Sequence, residues 1–352
     1  MKRRELLGSA VPGVIALSAG GMALSNDDGG IHVREVGSYF VGGKSITLAD
    51  APSRDAFVAA GRSPARVDPN GDFETGQVYV QFVRLARPRS SLPLLMWHGG
   101  GLTGVSFETT PDGRPGWQQQ FLAGGHDVHL ADGFGGGRAS WQRYPEISQA
   151  EPLFRTKQEL WELFRIGPAG SYATDPAKRR PYPDTQFPVA AFDRFVKQVV
   201  PRFRTYDQST QAGYNALVAQ VGPNVVLTHS AAGPLGFAST IAAPDLVRAH
   251  VAIEPSGAPD PDSVDLKRLS RIPHLIIWGD RLGLNEPGNS WTELYTSTRR
   301  FHDALRKAGG KSTWIDLPSE GYRGNSHMIM MDRNSRQVSN LINSWLKENV
   351  ND

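Results

Sequence analysis

The chain of 352 residues contains no cysteine. That excludes a disulfide framework and a cysteine nucleophile. It also lacks a surplus of either charge: Lys and Arg total 38 against 35 Asp and Glu, a formal net charge of +3. No basic stripe with interleaved aromatics occurs, so a nucleic-acid partner is not expected. The N-terminal apolar stretch, Val11 to Leu24, falls short of the roughly 18 residues a spanning helix needs, and Pro12 and several glycines break it. There is no metal-ligand spacing, internal repeat or low-complexity tract. Asp260, Asp262 and Asp265 read as a solvated, helix-starting turn rather than a metal site. The glycine clusters lack the Lys-Ser/Thr of a phosphate loop. No cofactor is expected.

What is present begins at the N-terminus. Lys2-Arg3-Arg4 precedes a short apolar stretch with small residues near Ala23 and Ser25, the pattern of a secretory leader. The paired arginines resemble a twin-arginine signal, used for proteins exported already folded. Residues 1–25 are therefore expected to be an export signal. The mature protein is then periplasmic or secreted, without stable membrane association. Because the leader carries Lys2, Arg3 and Arg4 against Glu5, its removal takes the charge from +3 to +1.

Val33–Val41 and Val78–Leu85 have strand composition and suit an antiparallel start to a sheet. Leu92–Trp97, Val128–Ala131, Val225–Leu227, Ala249–Ile253, His274–Trp278 and Ser312–Leu317 are short apolar runs, as expected for strands buried on both faces. Helical patterns lie among and after the later ones, notably Thr292–Ala308 and Val338–Leu346. The alternation predicts a mostly parallel central sheet flanked by helices. Residues 141–222 interrupt that rhythm with helix-like pieces (158–164, 190–200, 211–221) and many prolines. This stretch is expected to be a helical cap between core segments 26–140 and 223–352. Its aromatics Phe154, Trp161, Phe164, Tyr182 and Phe187 either line a pocket or pack the cap onto the core.

The chemistry centres on Thr228-His229-Ser230-Ala231-Ala232-Gly233, between a β-branched run and a small-residue segment suited to a helix. Strand, sharp turn and helix with serine at the apex make a nucleophile elbow, although the usual flanking glycines are absent. Serine hydrolysis also needs a base, an acid to orient it and donors for an oxyanion. In an α/β-hydrolase these follow in the order Ser, acid, His. His327, after the last strand and among small polar neighbours, fits the base. Glu254 and Asp280 each end a buried strand, and position alone does not choose between them as the acid. Met96-Trp97-His98-Gly99-Gly100-Gly101 is a buried strand running into glycines, as in the HGGG-type oxyanion motif. The N–H groups of Gly100 and Ala231 are the expected donors, with Trp97, His98, Gly99 and Gly101 bordering the substrate. Asp132 to Ser140 resembles the D-x-x-G-x-G-x-S turn of such folds, with its serine one place late.

Gly37–Gly43, Leu102–Gly104, Glu108–Arg114, Asp184–Pro188, Gly324–Met328 and Met331–Asn334 together resemble a small family of bacterial esterases known for cleaving esters of halogenated cyclic compounds. The likeness runs from about Gly37 to the last helix. It implies an α/β-hydrolase fold and an exported, dimeric protein. It also implies a Ser-Glu-His triad, which selects Ser230, Glu254 and His327 and demotes Asp280. One departure stands out. A member of that family carries two adjacent, mutually linked cysteines where this chain has Gly100 and Gly101, so its oxyanion loop lacks that constraint. The expectation is an exported serine carboxylesterase, a homodimer, acting through an acyl-enzyme on small-molecule esters of bulky or cyclic compounds. The alternatives are a lactonase or amidase with the same triad, or a non-catalytic binding protein of the same fold.

Overall fold

A computed structural model describes residues 30–350 apart from 149, 204–205 and 285–290. The expected leader, residues 1–25, lies outside them. Apolar runs without polar alternation can be buried only if both faces of their sheet are covered. That is how the short strands are used. β1 (Val33–Leu48) pairs antiparallel with β4 (Gly71–Leu85), which pairs antiparallel with β6 (Val128–Asp132). From β6 the sheet is parallel through β5 (Leu94–Trp97), β7 (Asn224–His229), β8 (Val247–Ile253), β9 (His274–Trp278) and β10 (Ser312–Asp316). The order is β1-β4-β6-β5-β7-β8-β9-β10. A small hairpin, β2 (Arg54–Ala56) with β3 (Ala65–Val67), stands apart.

The helices are α1 (Trp117–Ala123), α2 (Lys157–Leu163), α3 (Phe192–Phe195), α4 (Asp207–Val221), α5 (Ala232–Ala242), α6 (Leu266–Leu269), α7 (Trp291–Lys307) and α8 (Ser335–Asn349). Successive β5 residues serve opposite faces. Leu94 and Met96 pack with Trp117 and Phe121 of α1 and Val338 and Ile342 of α8. Leu95 and Trp97 pack with Tyr214, Leu217 and Val218 of α4. A third cluster joins Phe237 of α5, Ile276 of β9 and Phe301 of α7.

Two expectations change. The first hairpin is longer than read: Gly42 and Gly43 adopt positive φ (68° and 85°) inside β1 instead of ending it. A Cβ on Gly42 would lie 2.9 Å from the Gly213 Cα, so this glycine lets α4 approach the strand. Second, α4 was expected in the cap but packs on the sheet, which removes 207–221 from the insertion. Three residues of α4 supply one wall of the core, and a helix with that much sheet-facing apolar surface cannot be spared for a lid. The remaining insertion is no separate body. Residues from Ile31 on form one unit. Trp161, Phe164, Phe187, Phe192 and Phe195 share a buried cluster with Met328–Met331 behind the last strand.

Candidate active site

β7 delivers Ser230 into a turn held by its neighbour strand. Its N–H donates to Ile253 O at 3.0 Å, and its carbonyl accepts from Gly233 N at 2.8 Å and Ser256 N at 2.9 Å. Ser230 sits at φ +54°, a region that costs an L-residue strain and persists only where the surroundings impose it. The late glycine has its own purpose: a Cβ on Gly233 would meet Pro255 Cβ at 2.4 Å, so α5 crosses the end of β8 too closely for a side chain. Thr228, in place of a glycine, turns into the core and meets His250 Nε2 at 2.9 Å.

The end of β8 places Glu254, also at positive φ (42°), against the loop after β10. His327 Nδ1 donates to Glu254 Oε2. This fixes the tautomer and leaves Nε2 bare, as a general base requires. Glu254 Oε1 accepts from Gly279 N at 2.8 Å and from Arg165 Nη2. Burial alone would raise the Glu254 carboxyl, but Arg165 and then His327 outweigh it and hold it at about 2. Burial lowers the His327 ring below its ordinary value, and Glu254 only partly restores it. Asp280 does not touch the ring. Its carboxylate takes Gly324 N at 2.9 Å and Asn325 N at 3.2 Å, anchoring the histidine loop from below. Asp332 completes that anchor, accepting from Asn325 Nδ2 (3.0 Å), Ser326 N (2.8 Å) and Ser326 Oγ (2.7 Å).

The glycine loop after β5 lies over the elbow. A Cβ on Gly99 would meet His229 Nδ1 at 2.8 Å and Ser230 Cβ at 3.1 Å. Gly101 takes φ +73° and Gly100 backs onto the Arg202 guanidinium. Among the described residues, neither Gly100 N–H nor Ala231 N–H meets a backbone acceptor. His98 braces the loop: Nδ1 donates to Gly99 O (2.8 Å) and Nε2 accepts from Gly133 N (3.0 Å). The Asp132 turn ties in beneath, taking Gly104 N at 2.7 Å and Arg138 N at 2.9 Å.

One sequence expectation fails here, and the two readings of the insertion's aromatics divide residue by residue. Trp97 does not border the site; its side chain is fully buried and stacked 4.0 Å from Tyr214 in the core, because strand alternation points it away from the loop. Of the insertion's aromatics, Trp161 and Phe187 are core, Phe154 is exposed, and Phe164 packs 5.3 Å from the His327 ring. The cavity against Gly99–Gly101 and Ala231 is walled by Phe134 and by two other aromatics of the insertion, Phe203 and Tyr206. Arg165 and His229 were missed. His229 Nε2 donates to His327 O at 2.9 Å, tying the end of β7 to the histidine loop. Arg165 had a readable signal: an arginine set among Leu163, Phe164 and Ile166 cannot be buried without a charged partner.

The strand order, with a serine elbow and an acid-held histidine beyond successive parallel strands, defines an α/β-hydrolase. No family model matches the chain. The chain is 31% identical to a bacterial esterase solved at atomic resolution, with a TM-score of 0.77, over 92% of this chain and 98% of that one. It is 27% identical to a probable secreted lipase of a fungus (Fungal sp. strain ATCC 74256), over 79% of this chain and 88% of that protein. The chain belongs to the bacterial esterase's family within the α/β-hydrolases and is a hydrolase acting on ester bonds. The non-catalytic alternative falls with that membership.

Proposed function

We propose that the protein is an exported serine carboxylesterase using Ser230, His327 and Glu254. His327 Nε2 takes the Ser230 proton as Oγ attacks the ester carbonyl, while the N–H groups of Gly100 and Ala231 receive the developing oxyanion. The imidazolium, stabilised by Glu254, gives its proton to the departing alcohol. Water deprotonated by His327 then releases the acid and frees Ser230. The observation that carries this reading is the Glu254–His327 hydrogen bond beside a serine strained to φ +54°. Among the described residues Ser230 Oγ has no side-chain partner, so its bond to His327 belongs to the substrate complex, where such contacts commonly tighten. The aromatic wall of Phe134, Phe203 and Tyr206 favours bulky or cyclic esters. Export rests on the leader pattern and on the name of the secreted lipase relative.

On a p-nitrophenyl ester, Ser230→Ala is expected to lower kcat/KM by at least about 10³-fold and to abolish fluorophosphonate labelling. Retained turnover overturns the assignment. Glu254→Gln is expected to cost roughly 10³–10⁴-fold and Asp280→Asn far less; the reverse order would make Asp280 the acid. Lactones and amides, assayed beside esters, test the alternative substrate classes.

A further inference from the structure

Arg165 and Glu254 are both fully buried, and each is the other's charge partner. The arginine comes from the insertion, just beyond α2, at φ +56°. Three directions fix its guanidinium: Nη2 donates to Glu254 Oε1, Nε donates to Asp280 O at 2.7 Å, and the plane lies 5.0 Å over the Trp291 ring. Its neighbour Phe164 accepts the His327 backbone N–H at 2.9 Å. Two consecutive insertion residues thus hold the base and the acid. The carboxylate is divided: Oε1 serves Arg165 and Gly279 N, Oε2 serves His327.

We propose that Arg165 is a positioning residue that shares the Glu254 carboxylate with His327 and so restrains how strongly the carboxylate holds the ring's proton. A guanidinium on one oxygen withdraws negative charge from the other. Without it, Glu254 would raise the proton affinity of His327, and the base would stay protonated, hence idle, at neutral pH. With it, Glu254 is kept anionic despite burial. The charged or titratable groups facing the His327 ring are Glu254 from the end of β8, Arg165 from the insertion and His229 from β7. His229 lies 4.5 Å away, ring to ring, and burial holds it neutral. Phe164 and Trp291 close the remaining sides. Arg165 is therefore the one cation opposing Glu254 among the described residues.

This inference rests on the proposed acid–base pair. Its test is the pH profile of kcat/KM for a p-nitrophenyl ester in the wild type, Arg165→Lys, Arg165→Gln and Arg165→Met, each checked for folding by melting. In the neutral variants the acid limb is expected to move up by about one pH unit, while Arg165→Lys, which keeps the charge, stays near the wild type. If Arg165→Met does not fold, Arg165→Gln, which keeps a donor for Glu254 Oε1, carries the test. A uniformly lowered profile with an unmoved limb overturns the inference. So does a limb moved to lower pH, which means that the carboxylate has left the histidine and the arginine is only structural. Glu254→Gln in the same assay separates the two failures. A wild-type rate there sinks the acid assignment; a large loss there with unmoved limbs in the Arg165 variants sinks the Arg165 role alone.

Discussion

Gly99 has no side chain because His229 and Ser230 leave no room for one. The 2.8 Å and 3.1 Å approaches of its ideal Cβ to His229 and Ser230 set a clearance that alanine cannot meet without moving the loop or the elbow. Gly99→Ala is expected to lower kcat/KM at least about tenfold and to destabilise by about 1–3 kcal/mol, the usual cost of overpacking. Activity assays and denaturant unfolding check this, and an unchanged enzyme would mean that the loop yields freely. Residue identity was a good guide wherever chemistry restricts the choice. A serine after a β-branched run, a glycine triplet and a histidine among small polar neighbours were all legible. The choice between Glu254 and Asp280 was not legible from position, only from the family resemblance. Both end buried strands, and only the register of β8 against β9 and the path of the histidine loop put one under the ring and the other under the loop backbone.

At the scale of elements, the histidine loop is a short irregular segment made rigid by polar anchors. Asp332 is central because all three groups it meets are donors. Asp332→Asn replaces an acceptor by a donor and leaves buried groups unpaired, so a loss of about 1–3 kcal/mol is expected. Activity should fall with it, since His327 adjoins Ser326. Melting and kinetics check both parts; a stable, active variant would show that the loop has other support. The insertion is the element least legible in the sequence. Its prolines marked it as irregular, but its aromatics were ambiguous. Trp161 and Phe187 became core while Phe203 and Tyr206 came to wall the cavity. Local pattern reports that an aromatic will be covered, not what covers it.

The whole molecule stores histidines as neutral packing groups. His229 and His250 lie well below the ordinary value, and His129 and His274 are lowered to about 4, burial being the largest cause for each. His250 and His274 sit against Phe237 in the core. Below about pH 6.5 the unfolded chain binds protons there that the native state refuses, so the native state loses stability as pH falls. Each such histidine contributes up to about 1.4 kcal/mol per pH unit in that window. Buried Asp332, whose carboxyl burial raises to about 7, opposes this as one group against four, so unfolding midpoints are expected to drop between pH 7 and 5, and His274→Asn should flatten the slope. A flat profile would mean that these rings protonate in place.

The sequence by itself determined the class of architecture and the chemical types at the site, because runs of apolar residues dictate burial and only a few side chains can act as nucleophile, base and acid. It also determined the elbow's position, since a strand-forming run followed by small residues around a serine has few other uses. Tertiary structure alone decided that Glu254 meets the His327 ring, as the resemblance implied and position did not, and it alone decided the arginine that opposes Glu254, the assignment of α4 to the core and the walls of the cavity. Those depend on which residues, distant along the chain, meet in space. Such meetings are set by strand register and helix packing, sums over many weak contacts that no local stretch of sequence contains.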